Sequence, residues 1–592
     1  MPAVRRARLP PPPSLKYRDV EKLNRAERWI FDILSLALVV FYSYSAVLDP
    51  AATQYHRGIY ILITYVLVFL LYRSNSGLGR GVDYLLIAGS VVCIGYWMWN
   101  FEAINYRVGA ETDLDQWIAM VGVLLGIELA RRVVGNAFVI LAAVMLIYGV
   151  YGDYAPEIIS HAGDTFPELC TSIFYKSDGV FGIMANVLAT YVILFVIFGA
   201  FLEASGAQRF FVDFPLAAVG HRVGGPAKVS VIASGLFGSI SGSAIANTVS
   251  TGSFTIPMMK KAGFKPHVAG GIESAASIGG MFMPPIMGAG GFIMAELTGE
   301  PYSTIMLVAV FPALMYFFSV FVMAHYEARR HGIRGEKSAA GAEQIFRQGW
   351  FYSLPLGVIT VLMLMGYSPG YSAILGLVGC IGVSWLRRDT RIGPKRFLKA
   401  ARTGAQNSLK IGATVGVIGI IIGVLTYSGL VLTFADIVIA LADGKLWLTI
   451  LLIALASLIL GMGVPVTAAY LVTAVVAVPP LTELGVSPIA AHMIVYWLSQ
   501  DSNITPPVCI AAFTGAAIAK ANMWKTAFSA FKFAKFLYLA PFLFGYVPAF
   551  SLERSTYDIA VAFLLIAVGT WGYARLLSAI RLEGFKYRSV GR

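Results

Sequence analysis

Two apolar stretches of this chain carry hydroxyl, amide and carboxylate side chains beside paired prolines. Oxygen ligands with little charge suit a desolvated alkali cation. The free N–H groups at the start of a half-helix suit the opposite partner, a carboxylate or similar anion. The candidate binding residues of the first stretch are Ser241, Gly242, Ser243, Asn247, Thr248, Glu273, Ser277, Pro284 and Pro285. Those of the second stretch are Gly463, Pro465, Thr467, Asp501, Ser502, Asn503, Thr505 and Pro506.

Each of these residues also has a purely structural interpretation. Serines and glycines serve close packing between membrane helices. Glu273 and Asp501 lie in apolar surroundings, where an ionisable group is costly and marks a function by default, but a structural partner is the alternative. Neither core stretch, 238–298 or 466–518, contains an arginine. An anion would therefore have to be held by helix ends, hydroxyl groups and bound cations rather than by a bidentate arginine.

The two stretches match each other at a constant offset of 222 residues. The matching pairs are Pro257 and Pro479, Gly263 and Gly485, Pro266 and Pro488, Ala269 and Ala491, and Pro284-Pro285 and Pro506-Pro507. Interrupted apolar helices at corresponding positions of two halves indicate the binding site of a secondary transporter. Pro285, Pro465 and Pro507 are expected in the first turn of half-helices, where a missing N–H group costs nothing.

The composition indicates an all-α polytopic membrane protein. Hydrophobic residues make up 57% of the 592 positions and charged residues 13%, about half the charged fraction of a soluble domain. The formal charge of +13 sits in short clusters between apolar runs, as the positive-inside rule produces, so we expect no nucleic-acid partner. The chain lacks a phosphate-binding G-x-x-x-x-G-K-[ST] loop and the H-E-x-x-H and G-x-S-x-G motifs, so we expect no enzyme.

The apolar runs predict fourteen crossings of the bilayer, which leaves both termini in the cytoplasm. Twelve are full spans near 30–48, 58–72, 82–99, 117–131, 136–151, 180–203, 301–325, 352–366, 369–386, 411–428, 525–550 and 557–577. The other two are broken helices at 266–298 and 488–518, beside two helical hairpins at 226–262 and 446–484. Basic residues flank the first hairpin and acidic residues the second, so the repeat is inverted, as alternating access requires.

Several motifs resemble the large membrane subunit of TRAP (tripartite ATP-independent periplasmic) transporters. They are GLFGSISGSAIANT, IPMMKKAGFKP and SIGGMFMPP in the first copy, and LGMGVPVTAAY and SQDSNITPP in the second. The four N-terminal spans resemble the small membrane subunit, fused ahead of the large one as in TAXI-type permeases. The resemblance covers most of residues 30–550 and is weaker over 30–135.

This resemblance implies a multi-pass, elevator-type carrier of the bacterial inner membrane. It implies import of an organic acid, such as a dicarboxylate, keto acid or amino acid, delivered by a separate periplasmic binding protein. Na⁺, or alternatively H⁺, would be the coupling ion, with no covalently bound cofactor, and we expect it near Ser241, Ser243, Thr467, Asp501 and Asn503. The alternative is an anion channel or uniporter on the same fold that works without a soluble partner.

Five regions are predicted. They are a basic tail at 1–28, a four-helix scaffold at 29–135, a first half at 136–350, an inverted second half at 351–550, and a C-terminal helix with a basic tail at 551–592.

Overall fold

The structure is a computed structural model that describes residues 16–17, 20–73, 77–336, 340–462 and 464–579. Gly463, most of the predicted tail at 1–28 and the last part of the C-terminal tail lie outside the described residues.

The N-terminal part consists of helices and one pair of two-residue antiparallel strands, Lys16–Tyr17 and Tyr72–Arg73. Its helices are Val20–Lys22, Arg25–Val47, Thr53–Leu71, Gly77–Trp99, Phe101–Tyr106, Asp113–Val133 and Asn136–Val150. Short turns at Gly152–Tyr154 and Glu157–Ile159 and the helix Phe166–Tyr175 follow. A continuous helix then runs from Ile183 to Ala204, with a π-helical turn at Leu188–Val192.

The first copy of the repeat begins with the helix Ala207–Val219. Its hairpin, called the first hairpin below, comprises Gly225–Ser241 and Ala244–Lys261. Its broken helix, the first broken helix, comprises Pro266–Gly279 and Gly288–Thr298. The helices Tyr302–Arg330, Ala342–Gly349, Trp350–Ser353, Leu354–Leu364, Pro369–Ser384 and Pro394–Gly412 then lead to the second copy.

The second copy contains the helices Val415–Tyr427 and Leu430–Leu441, followed by the second hairpin, Leu446–Leu460 and Val466–Glu483. The second broken helix comprises Pro488–Leu498, the single turn Asp501–Asn503, and Ile510–Ala519. The chain ends in Met523–Phe533, Phe536–Tyr546, the turn Pro548–Ser551 and Thr556–Ala579. The predicted all-helical fold with two hairpins and two broken helices is confirmed.

Nine helices of the described ranges are long and apolar enough to cross a membrane. They are Arg25–Val47, Thr53–Leu71, Gly79–Trp99, Ile183–Ala204, Tyr302–Arg330, Pro394–Tyr427, Val466–Glu483, Met523–Tyr546 and Thr556–Leu577. Shorter apolar helices accompany them, as expected of a protein built partly from half-crossings. The protein is therefore a multi-pass membrane protein.

The repeat extends to backbone conformation. The second arms of the two hairpins, Ala244–Lys261 and Val466–Glu483, are both 18 residues long. Gly263 and Gly485, which follow these arms, both have positive φ angles, of 108° and 84°. The bonds Pro284-Pro285 and Pro506-Pro507 are both cis.

The two broken helices run past each other in opposite directions. The first half of the first broken helix, Pro266–Gly279, packs against Ile510–Ala519, the second half of the other. The remaining halves, Gly288–Thr298 and Pro488–Leu498, also contact each other. Near this crossing the rings of Phe282 and Trp497 stack at 4.0 Å. The antiparallel arrangement is the one that an inverted repeat requires.

The positions predicted for three prolines were wrong. Pro285 and Pro507 do not lie in the first turn of a half-helix, because those helices begin later, at Gly288 and Ile510. The capping residues before them, Met287 and Cys509, have left-handed φ angles of 53° and 48°, and the helices start after that turn. Pro465 also precedes its helix, as the N-cap residue rather than the first helical one.

The crossing predicted at 411–428 belongs to a longer apolar helical segment, Pro394–Tyr427. Small buried residues such as Ala401, Gly404 and Ser408 let its first part pack closely on the helix that ends at Ala204. Sequence hydropathy missed this part because its other face is basic.

The N-terminal helices are attached to the second copy by close contacts. A Cβ atom on Gly416 would lie 2.6 Å from the Cα atom of Gly126. The two helices can therefore come this close only because both positions are glycine. An ion pair between Arg402 and Asp32 joins the N-terminal helices to Pro394–Gly412, the helix that leads to the second copy. These contacts support a common body made of the N-terminal helices and the helix Pro394–Tyr427.

Candidate functional site

Tyrosine hydroxyls contact the unwound backbone between the halves of the first broken helix, here called the first break (residues 280–287). The Tyr302 hydroxyl lies 2.8 Å from the carbonyl oxygen of Pro285 and 2.7 Å from that of Ile286. The Tyr496 hydroxyl, from the second broken helix, lies 2.7 Å from the Met281 carbonyl oxygen and also contacts that of Met287. Each hydroxyl has one proton, which its two carbonyl acceptors share, so these carbonyl groups are partly engaged by protein donors.

The tip of the first hairpin, Gly242–Ser243, contacts the end of this break. Gly242 has a φ of 57°, and a Cβ atom there would lie 3.0 Å from the Cα atom of Gly288. Ser243 caps the second arm by accepting a hydrogen bond from the N–H group of Ala246. The preceding Ser241 has a buried hydroxyl with no partner among the described residues.

Two further candidates at this tip are engaged inside the protein. The Asn247 amide donates to the carbonyl oxygens of Ser234, at 2.9 Å, and Ser277, at 3.3 Å. The Thr248 hydroxyl donates to the Ala244 carbonyl oxygen of its own helix at 2.9 Å. Their roles in holding the hairpin together are therefore visible, whereas a ligand role for either stays a prediction.

Glu273 is fully buried and surrounded by hydroxyl groups. Ser230 and Ser234, on the first hairpin arm, lie 2.5 Å and 2.8 Å from its carboxylate oxygens. Thr251 and Thr255, on the second arm, also donate to it. Ser277, one turn further on its own helix, adds a longer contact of 3.3 Å. The carboxylate thus joins both arms of the first hairpin to the first broken helix.

The second break, residues 499–509, is different. Asp501, Ser502 and Asn503 form a buried turn between the two halves of the second broken helix. The Oδ1 atom of Asp501 and the Oε1 atom of Gln500 are buried, and neither has a hydrogen-bond partner in the described part of the chain. Unpartnered oxygens on two residues consecutive in sequence, one of them from a carboxylate, are of the type that binds a hard cation.

The described part of the second hairpin tip, residues 461–462 and 464–465, contacts this break. A Cβ atom on Gly461 would lie 2.8 Å from the hydroxyl oxygen of Ser502. Pro465 caps the second arm, and Thr467 is buried in its first turn. Each hairpin tip therefore meets the break of its own copy. The residues expected near the coupling ion fall into two groups. Ser241 and Ser243 lie at the first hairpin tip, whereas Thr467 lies beside the second tip and Asp501 and Asn503 lie in the second break.

The C-terminal part of the second break, residues 505–508, is partly exposed or exposed. The Thr505 hydroxyl is hydrogen-bonded to that of Tyr538, on the helix Phe536–Tyr546. Pro506 is partly exposed and Pro507 is exposed. In the first break, Pro284 is partly exposed and Pro285 is buried. The second break is thus more open to its surroundings than the first.

Two contacts of the first break were missed by sequence reasoning, because Tyr302 and Tyr496 stand in apolar helices with no local pattern that predicts their partners. Gln500, by contrast, stands in the polar run before Pro506, which the sequence shows. The Glu273 cluster did carry a signal, since Ser230 and Ser234, like Thr251 and Thr255, are four residues apart and so share one helix face. Such pairs on both arms of a hairpin predict a polar seam facing a common partner.

Comparison with known proteins gives consistent matches. Residues 121–550 match the family model described as tripartite ATP-independent periplasmic transporter, DctM component. The match begins within the helix Asp113–Val133 and does not include the first three long helices, so the boundary expected between residues 135 and 136 stays a prediction.

Individual relatives are distant in sequence, but each alignment covers more than half of this chain and of the relative. A putative TRAP transporter large permease protein of Haemophilus influenzae is 22% identical over 53% of this chain and 74% of its own length. A C4-dicarboxylate TRAP transporter large permease protein of Pseudomonas aeruginosa is 24% identical over 64% of this chain and 91% of its own length. A sialic acid TRAP transporter permease protein of Haemophilus influenzae is 23% identical over 59% of this chain and 51% of its own length.

One solved structure, the YdaH transporter of Alcanivorax borkumensis, aligns with a TM-score of 0.44 and 15% identity. The alignment covers 73% of this chain and 99% of that chain. This TM-score is too low to indicate a shared fold.

Proposed function

Because this chain belongs to the tripartite ATP-independent periplasmic transporter family as its DctM component, we propose that it imports a small organic anion by cation-coupled secondary active transport. Its relatives are named as transporter permeases and not as enzymes. The proposal concerns the driving ion, the substrate class and the soluble partner.

The observation that carries the proposal is the pair of unpartnered oxygens at the second break. A buried carboxylate oxygen without a hydrogen-bond donor lowers the stability of the folded protein by about 1–3 kcal/mol or more. A bound Na⁺ at Asp501 Oδ1 and Gln500 Oε1 removes that cost, and H⁺ at Asp501 is the alternative. Thr467 and Asn503 remain candidate neighbours of this ion, and Ser241 and Ser243 remain candidates for a second site.

The substrate class follows from charge and from relatives. Two of the relatives are named for a C4-dicarboxylate and for sialic acid, both of which carry carboxylate groups. Half-helix N-termini at the two breaks, which begin at Gly288 and Ile510, attract such anions through their free N–H groups. We therefore expect an organic acid, such as a dicarboxylate, keto acid or amino acid.

Alternating access would be provided by an elevator movement. The two hairpins and two broken helices form the mobile part, which carries the ion and the anion. The N-terminal helices, resembling a fused small subunit of the TAXI type, form the scaffold with the remaining spans. A periplasmic binding protein delivers the substrate to this permease, which lies in the bacterial inner membrane with both termini in the cytoplasm.

The driving force is sufficient for strong accumulation. At about 100 mV, each net positive charge that enters supplies roughly 2.3 kcal/mol before any concentration term. Two such charges support accumulation on the order of 10³-fold.

The test is uptake of labelled succinate and sialic acid into proteoliposomes. Uptake is measured with and without an inward Na⁺ gradient and with and without a candidate periplasmic binding protein. Dependence on both supports the proposal, and dependence on a pH gradient in place of Na⁺ changes the ion but keeps the carrier. Passive flux that needs neither gradient nor partner contradicts it and indicates a channel or uniporter.

Two variants then test the residues. Asp501→Asn and Ser241→Ala are expected to reduce ion-dependent uptake, whereas Glu300→Gln, at an exposed loop position, serves as the matched control. If both variants take up substrate with unchanged ion dependence, the ion site lies elsewhere.

A further inference from the structure

A polar contact joins the mobile part of the proposed carrier to its scaffold. The Nδ2 atom of Asn186, near the start of the scaffold helix Ile183–Ala204, donates to Glu296 Oε1 at 2.9 Å. Glu296 lies near the end of Gly288–Thr298, the second half of the first broken helix. The two residues are 110 positions apart in the sequence, so this bond exists only while the two helices lie side by side.

An arginine fixes the scaffold side of this contact. Arg57, on the helix Thr53–Leu71, donates from Nε to Asn186 Oδ1 at 3.3 Å and from Nη1 to the Phe181 carbonyl oxygen at 2.8 Å. Only this orientation of the Asn186 amide serves both neighbours, since a guanidinium only donates and an ionised carboxylate only accepts. Both bonds of the amide are therefore charge-assisted. A chain of three side chains thus runs from the N-terminal helices to the first broken helix.

An aromatic contact lies one turn earlier on the mobile helix. The ring of Phe292 lies 4.8 Å from that of Phe195 and 5.7 Å from that of Tyr191, at interplanar angles of 19° and 20°. Phe292 is buried, whereas Glu296 is exposed. The interface therefore has an apolar part without directional bonds and a polar end at which water can replace the protein partner.

The scaffold helix departs from α-helical geometry at this interface. Leu188–Val192 form a π turn, and such turns are mostly single interruptions of α-helices, frequently at functional sites. The Thr190 hydroxyl lies 3.2 Å from Nε2 of His56, on the N-terminal helices. The next residue, Tyr191, faces Phe292 of the mobile helix. The irregular turn thus lies where the scaffold and the mobile part meet.

We propose that Arg57, Asn186 and Glu296 form a latch that holds the mobile part against the scaffold in the state that the structure shows and opens once in each transport cycle. The proposal rests on the alternating access of the proposed function. In an elevator movement the helix Gly288–Thr298 shifts along Ile183–Ala204, and packed elements pass one another in discrete steps rather than continuously. When the latch opens, water replaces Asn186 at the exposed Glu296 carboxylate, so no buried charge is left unpaired.

The first experiment asks whether the latch must open for transport. Asn186→Cys/Glu296→Cys in the full chain is treated in proteoliposomes with a short, membrane-permeant, reducible bis-methanethiosulfonate; the four native cysteines are buried. We expect the cross-link to slow uptake of whichever of succinate and sialic acid the wild type takes up at least tenfold, and dithiothreitol to restore it. The matched control is Asp32→Cys/Arg402→Cys, which replaces an ion pair inside the scaffold, and its cross-link should change uptake less than twofold.

Three results would overturn the latch while the proposed function stands. The first is a complete cross-link between positions 186 and 296, seen as loss of maleimide labelling, with uptake unchanged. The second is no cross-link at this pair while the control pair reacts, since the two residues would then not be neighbours. The third is an equal loss of uptake from the control cross-link, because added rigidity alone would explain it. If the wild type takes up neither acid, the proposed function itself fails, whatever the cross-linking shows.

The second experiment asks whether the hydrogen bond, rather than proximity alone, holds the contact. Glu296→Ala removes the acceptor, whereas Glu296→Gln keeps an oxygen to which Asn186 can donate. Because the bond is made in one state and absent in the other, its loss changes the balance between the two states. We expect Glu296→Ala to change the uptake rate at least threefold, Glu296→Gln to change it less, and the control Glu300→Gln to leave it unchanged. A wild-type rate in Glu296→Ala would show that this bond is not a latch.

Discussion

The two copies of the repeat each contain one buried carboxylate, but at different places. Glu273 lies inside the first hairpin bundle, and at the offset of 222 residues the second copy has Val495. Asp501 lies at the second break, where the first copy has Gly279. Glu273 accepts hydrogen bonds from both hairpin arms, whereas Asp501 Oδ1 has no partner among the described residues. The same backbone thus carries a structural carboxylate in one copy and a ligand-ready one in the other.

A pair of corresponding threonine hydroxyls differs between the two copies in the same way. Thr251 donates to Glu273, but its counterpart at the same offset, Thr473, is buried with no partner in the described ranges. The break carbonyls of the first copy are covered by Tyr302 and Tyr496. The first copy thus has its buried carboxylate and its break carbonyls engaged by protein donors, whereas the second copy leaves buried oxygens without described partners. Each of the following predictions tests one side of this division.

The largest effect is expected at Glu273. Glu273→Val gives the first copy the residue of the second and removes the acceptor for Ser230 and Ser234, while Thr251 and Thr255 can still donate to carbonyl groups of their own helix. We expect a loss of about 3 kcal/mol in the free energy of unfolding, measured by denaturant titration in mixed micelles. Glu273→Gln keeps an acceptor and should lose less. Unchanged stability of Glu273→Val would show that the cluster does not hold the hairpin.

In contrast to Glu273→Val, Asp501→Asn should weaken cation binding without lowering the stability of the cation-free protein. We expect cation affinity to fall about 100-fold, or about 2.8 kcal/mol, because a charged ligand is lost. Stability without cation should be equal to or above wild type, since a costly buried carboxylate is removed. The measurement is the unfolding temperature in NaCl against choline chloride, with Glu300→Gln as the control. If NaCl still stabilises Asp501→Asn as it does wild type, the second copy does not hold the ion at this residue.

The tyrosines distinguish the two breaks. Tyr496→Phe leaves the Met281 and Met287 carbonyl groups without this donor and should cost about 2 kcal/mol. Tyr538→Phe loses a hydroxyl contact at the partly exposed second break, where water can replace it, and should cost about 0.5 kcal/mol. Thermal unfolding of both variants in the same detergent gives the difference. Equal losses would contradict the view that the second break is the more open one.

The smallest effect concerns the paired threonines. Thr251→Val should destabilise the protein by about 1 kcal/mol, since a hydrogen bond to Glu273 is lost. Thr473→Val removes a buried hydroxyl that has no described partner, so its effect should be close to zero or slightly stabilising. The same unfolding measurement on both variants tests the comparison. A larger loss at Thr473 than at Thr251 would reverse it.

Much of the fold could be predicted from the amino-acid sequence. The helices of the hairpins and broken helices follow from apolar runs and from Gly and Pro positions, which act within a few residues. The offset of 222 residues predicted the repeat because the same turns require the same residue types, as at Gly263 and Gly485. Where a helix resumes was less predictable: Pro285 and Pro507 were expected inside half-helices that begin three residues later, at Gly288 and Ile510.

Composition and spacing alone establish a helical membrane protein with two interrupted regions and two carboxylates in apolar surroundings. Which of these carboxylates has hydrogen-bond partners follows only from how the helices pack. The donors to Glu273 on the first hairpin come from 18 to 43 residues away. Hydrogen bonding and charge pairing depend on distances of a few ångströms, and only helix packing brings such remote residues that close.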